Sequence, residues 1–329
     1  MDGVNNISFD NLLGRLKAAS EATRLRLLFL LARSELTVSD LTAILGQSQP
    51  RISRHLKLLS DAGVIERFPE GAWVYYRLVD TGPGSNLARS LLASLDASDP
   101  QLVRDMERLE QVRKSHADQA NEYFDANVRQ WDALRARHIS EEAVEAAMLN
   151  FIGENRFNAH LDVGTGTGRI LELFSNHVDR SVGIDANPKM LSVARNKLSH
   201  NGIAAQVRQA DVYNLAPQGN LLNTVYDLIT IHQVLHFLDD PALALSEISR
   251  VAGSGSTLMI ADFASHNLEF MRADYAHRRL GFSDEQMFGW MENVGFSDFE
   301  TIKLEPETVS GEELTVCLLY TSPSPRDRG

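Results

Sequence analysis

The run LDVGTGTGRILELF, residues 161–174, sets Gly164, Gly166 and Gly168 between a stretch that reads as a strand and one that reads as a helix. Glycines at such a turn let the backbone approach a ligand closely and adopt unusual dihedrals. The spacing is G-x-G-x-G behind an acid, Asp162. Five residues after Gly164 stands Arg169, where a dinucleotide fingerprint requires glycine. Asp185 closes the next apolar run, 21 residues after Gly164, placed to accept hydrogen bonds from both hydroxyls of a ribose. Asp211 follows the third run, in RQADVYNL. His232, His236, His266 and His277 stand near predicted strand ends or in the segments after them, which makes them candidates for proton transfer. A second set, Gln49, Arg51, Ser53, Arg54 and Lys57, is interleaved with apolar residues at helical spacing.

These groups need elements to hold them. FDNLLGRLKAA (9–19) and EATRLRLLFLLAR (21–33) read as two helices, with Ser20 capping the second. Thr37, with Asp40 three residues on, predicts the start of a helix that runs to Gly46. Ser48 predicts the cap of the next, with Pro50 in its first turn, where a missing N–H does no harm. Ile52, Leu56 and Leu59 fall at i, i+4 and i+7 and turn inward, which leaves the polar set outward. Gly63 ends that helix, and VIERF and WVYYRL predict a hairpin around Pro69-Glu70-Gly71. Helix, turn, helix and a two-stranded wing is a DNA-reading arrangement, the second helix entering the major groove. Arg51, Arg54 and Lys57 suit phosphates or guanine edges, and Gln49 suits adenine.

A Gly-Pro-Gly-Ser break at 82–85 opens the stretch assigned as a connector, 83–140, which holds a second break at DASDP. QLVRDMERLEQVRKSHADQANEYFDANVRQW then reads as one long polar helix, a coiled-coil arm or a lid, with Tyr123, Phe124 and Trp131 expected to pack in a core. From residue 158, AHLDV, RSVGID, AAQVRQA, YDLITI and STLMIAD alternate with helical stretches, and DFETIKL reads as a late strand. That rhythm predicts an α/β parallel sheet with helices on both faces, and ligands at the carboxyl ends of its strands.

Residues 8–80, above all SQPRISRHLKLLSDAGVIER, resemble the ArsR-type winged-helix regulators. The resemblance implies an operator-binding domain over 8–82 and a homodimer, with NLARSLLASL (86–95) in the position of an interface helix. Metal-sensing members often carry two cysteines where Thr37 and Ser39 stand here, and hydroxyls do not replace thiolates for soft ions, so no metal site is expected. Residues 120–316 resemble the class I methyltransferases that use S-adenosylmethionine, with a domain assigned over 141–316. This implies a Rossmann-like, mostly parallel seven-stranded sheet. By the same resemblance Asp162, Gly164, Gly166 and Gly168 hold the methionine part of the cofactor, and Asp185 its ribose. Ala186 and Asn187 lie at the adenine edge, Asp211 meets the adenine amino group, Val212 flanks the ring, and His232 and Gln233 line the mouth near the sulfonium.

Methyl transfer is an in-line displacement in which some acceptors need a base. His232, His266 and His277 are the candidates, while His236 reads better as structural. His266 with Glu269, and His277-Arg278-Arg279, mark the expected substrate side, the arginines as a grip for an anion. Restriction-type DNA methylation is set aside: the amino-methylase motif is replaced by IHQV, and Cys317 is misplaced for a C5 nucleophile. Arsenite methylation lacks its thiolates. Two readings stay open: a small-molecule methyltransferase tethered to a regulator, and a repressor that senses S-adenosylmethionine or S-adenosylhomocysteine without turnover.

The 329 residues are 43% hydrophobic and 23% charged, ordinary globular usage. The net charge is −12, but residues 1–82 carry +1 and the rest −13, so any DNA contact belongs near the N-terminus. No export signal or membrane-length apolar run is visible, and a cytoplasmic protein is expected. Residues 317–327, CLLYTSPSPRD, are what a transposase sequencing adapter encodes in one reading frame. Residues 317–329 are therefore expected to be an assembly artefact, and the natural sequence to stop at about Val316. A Pro/Ser-rich flexible tail is the other reading, and resequencing the locus decides between them.

Overall fold

The computed structural model describes residues 7–70, 72–79, 82–131, 141–215, 225–305 and 314–321. It divides into two compact units, Met1–Asp118 and Gln119–Gly329.

The first unit begins with α1 (Phe9–Ala19) and α2 (Ala22–Leu31). The cap of α2 is Glu21, whose carboxylate accepts the Arg24 N–H, and not Ser20, whose hydroxyl turns back to the Lys17 carbonyl at the end of α1. A carboxylate at a helix N-terminus also meets the positive end of the helix dipole, which favours Glu21. β1 (Leu36–Thr37) leads into α3 (Val38–Leu45), which starts on a complete Thr37–Asp40 capping box and stops at Gly46. α4 (Gln49–Asp61) follows, with Pro50 in its first turn. Ser48 is its N-cap, but the hydroxyl makes no capping bond. β2 (Ile65–Glu70) and β3 (Trp73–Leu78) pair antiparallel as a hairpin whose Gly71 lies outside the described residues, and β1 adds on the far side of β3. Arg77 ties this sheet together, bonded to Glu66 at 2.7 Å and Glu35 at 3.3 Å.

The expected break at 82–85 is instead the first turn of α5 (Gly82–Ala93). Gly84 is required there because α5 lies against the turn after α4: a Cβ at this position would sit 1.9 Å from the Gly63 carbonyl oxygen. In most helices Gly→Ala adds about 1 kcal/mol of stability. Here Gly84→Ala is expected to cost about 2–4 kcal/mol, because backbone must move, seen as a lower urea midpoint of this unit.

α6 (Pro100–Asn127) is a single helix, as expected, ending in a 3₁₀ turn at Val128–Gln130. Within the first unit it is pinned by Asp105, fully buried, whose two oxygens take Arg26 Nε and Nη2 at 2.6 and 2.7 Å. Arg108 donates to the Ile44 carbonyl at the end of α3.

The second unit carries a seven-stranded sheet in the order β6-β5-β4-β7-β8-β10-β9. Its strands are β4 (Phe157–Val163), β5 (Val178–Asp185), β6 (Ala205–Gln209), β7 (Tyr226–His232), β8 (Ala252–Phe263), β9 (Phe299–Leu304) and β10 (Val316–Thr321). The pairs from β6 to β8 are parallel, while β10 runs antiparallel between β8 and β9. The helices are α7 (Glu141–Ile152), α8 (Arg169–Leu173), α9 (Pro188–His200), α10 (Pro241–Ser249), α11 (Phe270–Tyr275) and α12 (Asp284–Asn293). Parallel strands covered on both faces read as near-continuous apolar runs, and Leu161, Ile184, Ile229, Ile231, Leu258 and Ile260 form one core cluster between these layers.

β10 contains Cys317–Thr321, part of the expected artefact; residues 322–329 lie outside the described residues. Any alternating apolar stretch of this length satisfies the lane between β8 and β9, so the strand does not bear on the origin of those codons.

Candidate functional site

The glycine turn sits at the carboxyl end of β4, between strand and helix as expected. Gly164, Gly166 and Gly168 all adopt left-handed backbone, with φ of 71°, 52° and 82°. At Gly164 a Cβ would also lie 2.3 Å from a Val234 methyl, so the turn packs directly beneath the chain leaving β7. Arg169, which replaces the dinucleotide glycine, bonds Glu145 of α7 at 2.6 and 2.5 Å and Glu172 at 3.0 Å. Its role is to staple α8 to α7, and these partners raise its pKa, hydrogen bonding to Glu145 first.

Asp185 ends β5 and is partly buried. One of its oxygens accepts the Gly166 N–H at 2.9 Å and the other the Asn187 N–H at 2.8 Å. Burial raises its pKa, and these two backbone donors pull the other way. Asn187 is 1% exposed and caps α9, accepting the N–H groups of Lys189 and Met190. Gln209 donates to the Ala186 carbonyl at 3.0 Å, linking the ends of β5 and β6. Asp211 is exposed beyond β6 and accepts the Tyr213 N–H, while Val212 packs against the core cluster.

Asp162, near the end of β4 and two residues before Gly164, is buried at 1% exposure and accepts the Thr230 hydroxyl at 2.7 Å. Behind it lies a polar chain not expected from the sequence: His160 Nε2 contacts the Thr230 oxygen at 2.8 Å, and Ser181 contacts His160 Nδ1 at 3.4 Å. Full burial pushes the His160 pKa down to about 3, so the ring is neutral.

His232 closes β7, buried, with Nε2 3.9 Å from a Glu141 oxygen. The other Glu141 oxygen accepts from Gln233 Nε2 at 3.1 Å. Gln233 holds left-handed backbone, φ 56°, a strained conformation of the kind that clusters at functional sites.

The end of α6 lies against the glycine turn and the start of α9. Asp125 accepts from Asn187 Nδ2 at 3.0 Å and pairs with Lys189 at 2.7 Å, which lowers its pKa. Trp131 Nε1 lies 3.7 Å from where a Gly166 Cβ would be. The rings of Tyr123, Phe124, Trp131 and Phe237 form an edge-to-face group, Phe124 at 5.2 Å from Trp131 and 4.9 Å from Phe237.

On the expected substrate side, His277 is buried, 4.2 Å from the His236 ring and stacked 5.5 Å from Phe263. His266 and Glu269 do not pair: His266 Nδ1 accepts the Leu268 N–H, and Glu269 bonds Arg272. The anion grip is not formed either. Arg278 bonds the Asp239 carboxylate at 2.7 Å, and Arg279, 1% exposed, donates to the Asp239 carbonyl at 2.8 Å. Both backbone N–H groups go to the His236 carbonyl. Arginines pulled inward onto the loop after β7 clamp it and are not available to a ligand in this arrangement.

In the first unit, Ile52, Leu56 and Leu59 are fully buried on α4. Gln49, Arg51, Ser53, Arg54 and Lys57 are all exposed on its other face, as the periodicity predicts. Arg54→Ala is expected to weaken operator binding about tenfold and to lower the magnitude of the salt slope by about 1, as loss of one phosphate contact does. Binding titrated over a range of salt concentrations measures both. Among the described residues no cluster of His, Cys, Asp or Glu is arranged to hold a metal.

Comparisons with known proteins match the two modules. The family model for bacterial regulatory proteins of the arsR family covers residues 21–67, and that for a methyltransferase domain covers residues 161–260. The arsenical resistance operon repressor of Bacillus subtilis is 36% identical over 78 residues, 23% of this chain and 74% of that protein. The ubiquinone biosynthesis O-methyltransferase of Hahella chejuensis is 27% identical over 158 residues, 47% of this chain and 65% of that enzyme. The chain spans about half the length of the arsenic-resistance regulators it matches at highest identity. Among solved structures, N-methyltransferase NodS from Bradyrhizobium japonicum with S-adenosylhomocysteine superposes with a TM-score of 0.50 at 14% identity. The match covers 62% of this chain and 99% of that one, a likeness of fold. The chain thus belongs to the bacterial arsR regulatory family through its N-terminal module, a DNA-binding regulator carrying a fused class I methyltransferase domain.

Proposed function

We propose that the second unit binds S-adenosylmethionine and transfers its methyl group to a small molecule, while α4 and the β2–β3 wing hold a double-stranded DNA operator. The observation that carries this reading is the Asp185 cradle. A carboxylate has about four lone-pair sites. Backbone N–H groups take one on each oxygen, which leaves one on each for a vicinal ribose diol. The Gly166 backbone beside it carries no side chain. When bound, the cofactor supplies a methyl group activated by a sulfonium.

Around it, Asp185 receives the ribose, Asp211 and Val212 border the adenine, and Asp162 before the glycines presents negative charge toward the methionine part. His232, 3.9 Å from Glu141, lines the mouth beside Gln233. The aromatic group from Tyr123 to Phe237 excludes water from the crevice, as displacement at carbon requires.

A second reading, sensing without turnover, has its own support. α6 makes bonds within each unit: Asp105 takes Arg26 in the first, and Asp125 takes Asn187, expected at the adenine edge, in the second. A ligand shifts DNA affinity only if it binds the two states differently. Operator binding measured with and without S-adenosylmethionine and S-adenosylhomocysteine, beside methyl release in cell extract, separates the two readings. Unchanged DNA affinity removes the sensor, and absence of turnover removes the enzyme. We also propose a homodimer, because Phe9, Leu12 and Leu16 leave an apolar stripe exposed on α1 at 77%, 39% and 39%, and a cytoplasmic location, because a DNA operator is the partner of the first unit.

A further inference from the structure

Beyond the cofactor crevice, three imidazoles surround one phenyl ring at the carboxyl ends of β7 and β8. The rings of His236, His277 and His266 lie 4.7, 5.5 and 6.1 Å from that of Phe263. Phe237 packs on His236 at 4.1 Å and reaches Trp131 at 6.2 Å, so this cluster is continuous with the aromatic group beside Gly166.

The hydrogen bonds assign opposite roles to two of these rings. Asp262, 3% exposed, accepts from three donors: His236 Nδ1 at 2.7 Å, the Phe263 N–H at 2.8 Å and the Leu235 N–H at 2.9 Å. A carboxylate with three donors places the proton of the neutral His236 ring on Nδ1 and the lone pair on Nε2, the tautomer logic by which an acid orients a catalytic imidazole. His266 is the reverse. Its Nδ1 accepts the Leu268 N–H at 3.2 Å, which puts the ring proton on Nε2. Burial above all lowers its pKa to about 4, so the ring is neutral at pH 7. Its Nε2–H is shut from solvent and faces no protein acceptor. A buried donor without a partner costs about 1–3 kcal/mol.

We infer that this cluster is the acceptor pocket and that it takes a planar aromatic ring bearing two vicinal hydroxyls, with His236 as general base and His266 as donor to the neighbouring oxygen. One catechol edge answers both requirements: a hydroxyl proton for the His236 lone pair, and an oxygen for the His266 N–H. Phe237, half-buried where this cluster meets the aromatic group beside Gly166, is the ring such a substrate would pack against. This assignment rests on the methyltransferase reading above. In the step, the aryl O–H breaks and its proton goes to His236 Nε2. The oxygen bonds the methyl carbon as the carbon–sulfur bond breaks, and that electron pair stays on sulfur, cancelling its charge. The imidazolium, paired with Asp262, then returns its proton to solvent. Asp262 is a positioning residue, acting through His236.

The test uses the full chain saturated with S-adenosylhomocysteine and titrated with 4-nitrocatechol, whose visible spectrum reports its ionisation. At a pH where the free probe is mostly protonated, the wild-type protein is expected to bind it and to develop the phenolate band. His236→Gln should bind without the band. Asp262→Asn, a change of equal volume that serves should His236→Gln not fold, should also bind and lose most of the band. His266→Leu should weaken binding about tenfold. If S-adenosylhomocysteine gives a binding heat but the probe does not bind, or if His236→Gln keeps the band, the acceptor assignment is overturned and the methyltransferase reading stands. If S-adenosylhomocysteine gives no heat, that reading fails first and this one with it.

Discussion

Asp185→Ala is expected to raise the dissociation constant for S-adenosylmethionine more than 100-fold in calorimetry. Two hydrogen bonds from ribose hydroxyls to a charged acceptor are worth about 1.5–3 kcal/mol each, and a loss of about 2.7 kcal/mol already gives a factor of 100. The same change should cost the unliganded fold little. Burial disfavours the Asp185 charge, which opposes what its bonds to Gly166 and Asn187 contribute. Asp185→Asn keeps an acceptor for one backbone N–H while presenting an amide donor to the diol, and an intermediate loss is expected. Wild-type affinity in Asp185→Ala would mean that the nucleoside lies elsewhere. A large fall in its urea midpoint would mean that the carboxylate serves the fold rather than a ligand.

Acid should unfold the methyltransferase unit well before its carboxylates alone would require. The His160 pKa is held at about 3 in the native state, against about 6.5 in an unfolded chain. Between those values the unfolded state binds a proton that the native state refuses, so stability is fully present above about pH 6.5 and falls as pH drops toward 3. The full span corresponds to a loss on the order of 5 kcal/mol, and about 2 kcal/mol is gone by pH 5. His160→Gln, which retains polar atoms near Thr230, should be less stable than wild type at pH 7.5 and lose less between pH 7.5 and 5. Urea unfolding in a Trp73→Phe background, which leaves Trp131 and Trp290 to report on this unit, measures the difference. Equal pH slopes in the two proteins would show that His160 is not the sensitive group.

What was legible in the sequence follows from how far apart the partners lie. The Thr37–Asp40 box, the inward Ile52, Leu56 and Leu59, and the outward Arg51, Arg54 and Lys57 are set by one helix period. Asp185 is set by a strand end a fixed distance beyond a glycine turn. Side chains brought together by strand order were not legible. Asp262 and His236 are 26 residues apart, Asp125 and Asn187 62 apart, and Glu141 and Gln233 92 apart. His236, read as structural, stands with Asp262 in a geometry that sequence spacing does not encode. Arg278 and Arg279 looked like an anion grip because adjacent charges read as one patch, yet both turn onto Asp239. Ser20 was misassigned by one position because serine and glutamate can both close a helix start, and only backbone geometry chooses between them.

The inner lane between β8 and β9 is filled by residues that follow both neighbours in the chain, whichever codons resequencing shows at 317–321. Until the residues of that lane leave the ribosome, β8 exposes an open edge and β9 lacks its partner, because among the described residues β9 pairs with β10 alone. An unpaired edge of this length is a template for other chains. The nascent unit therefore passes through a sticky stage that ends only with the last lane. Messages cut short, or ribosomes stalled, upstream of this point should yield a product that depends on chaperones and clears into inclusion bodies, even though it already holds the glycine turn and Asp185.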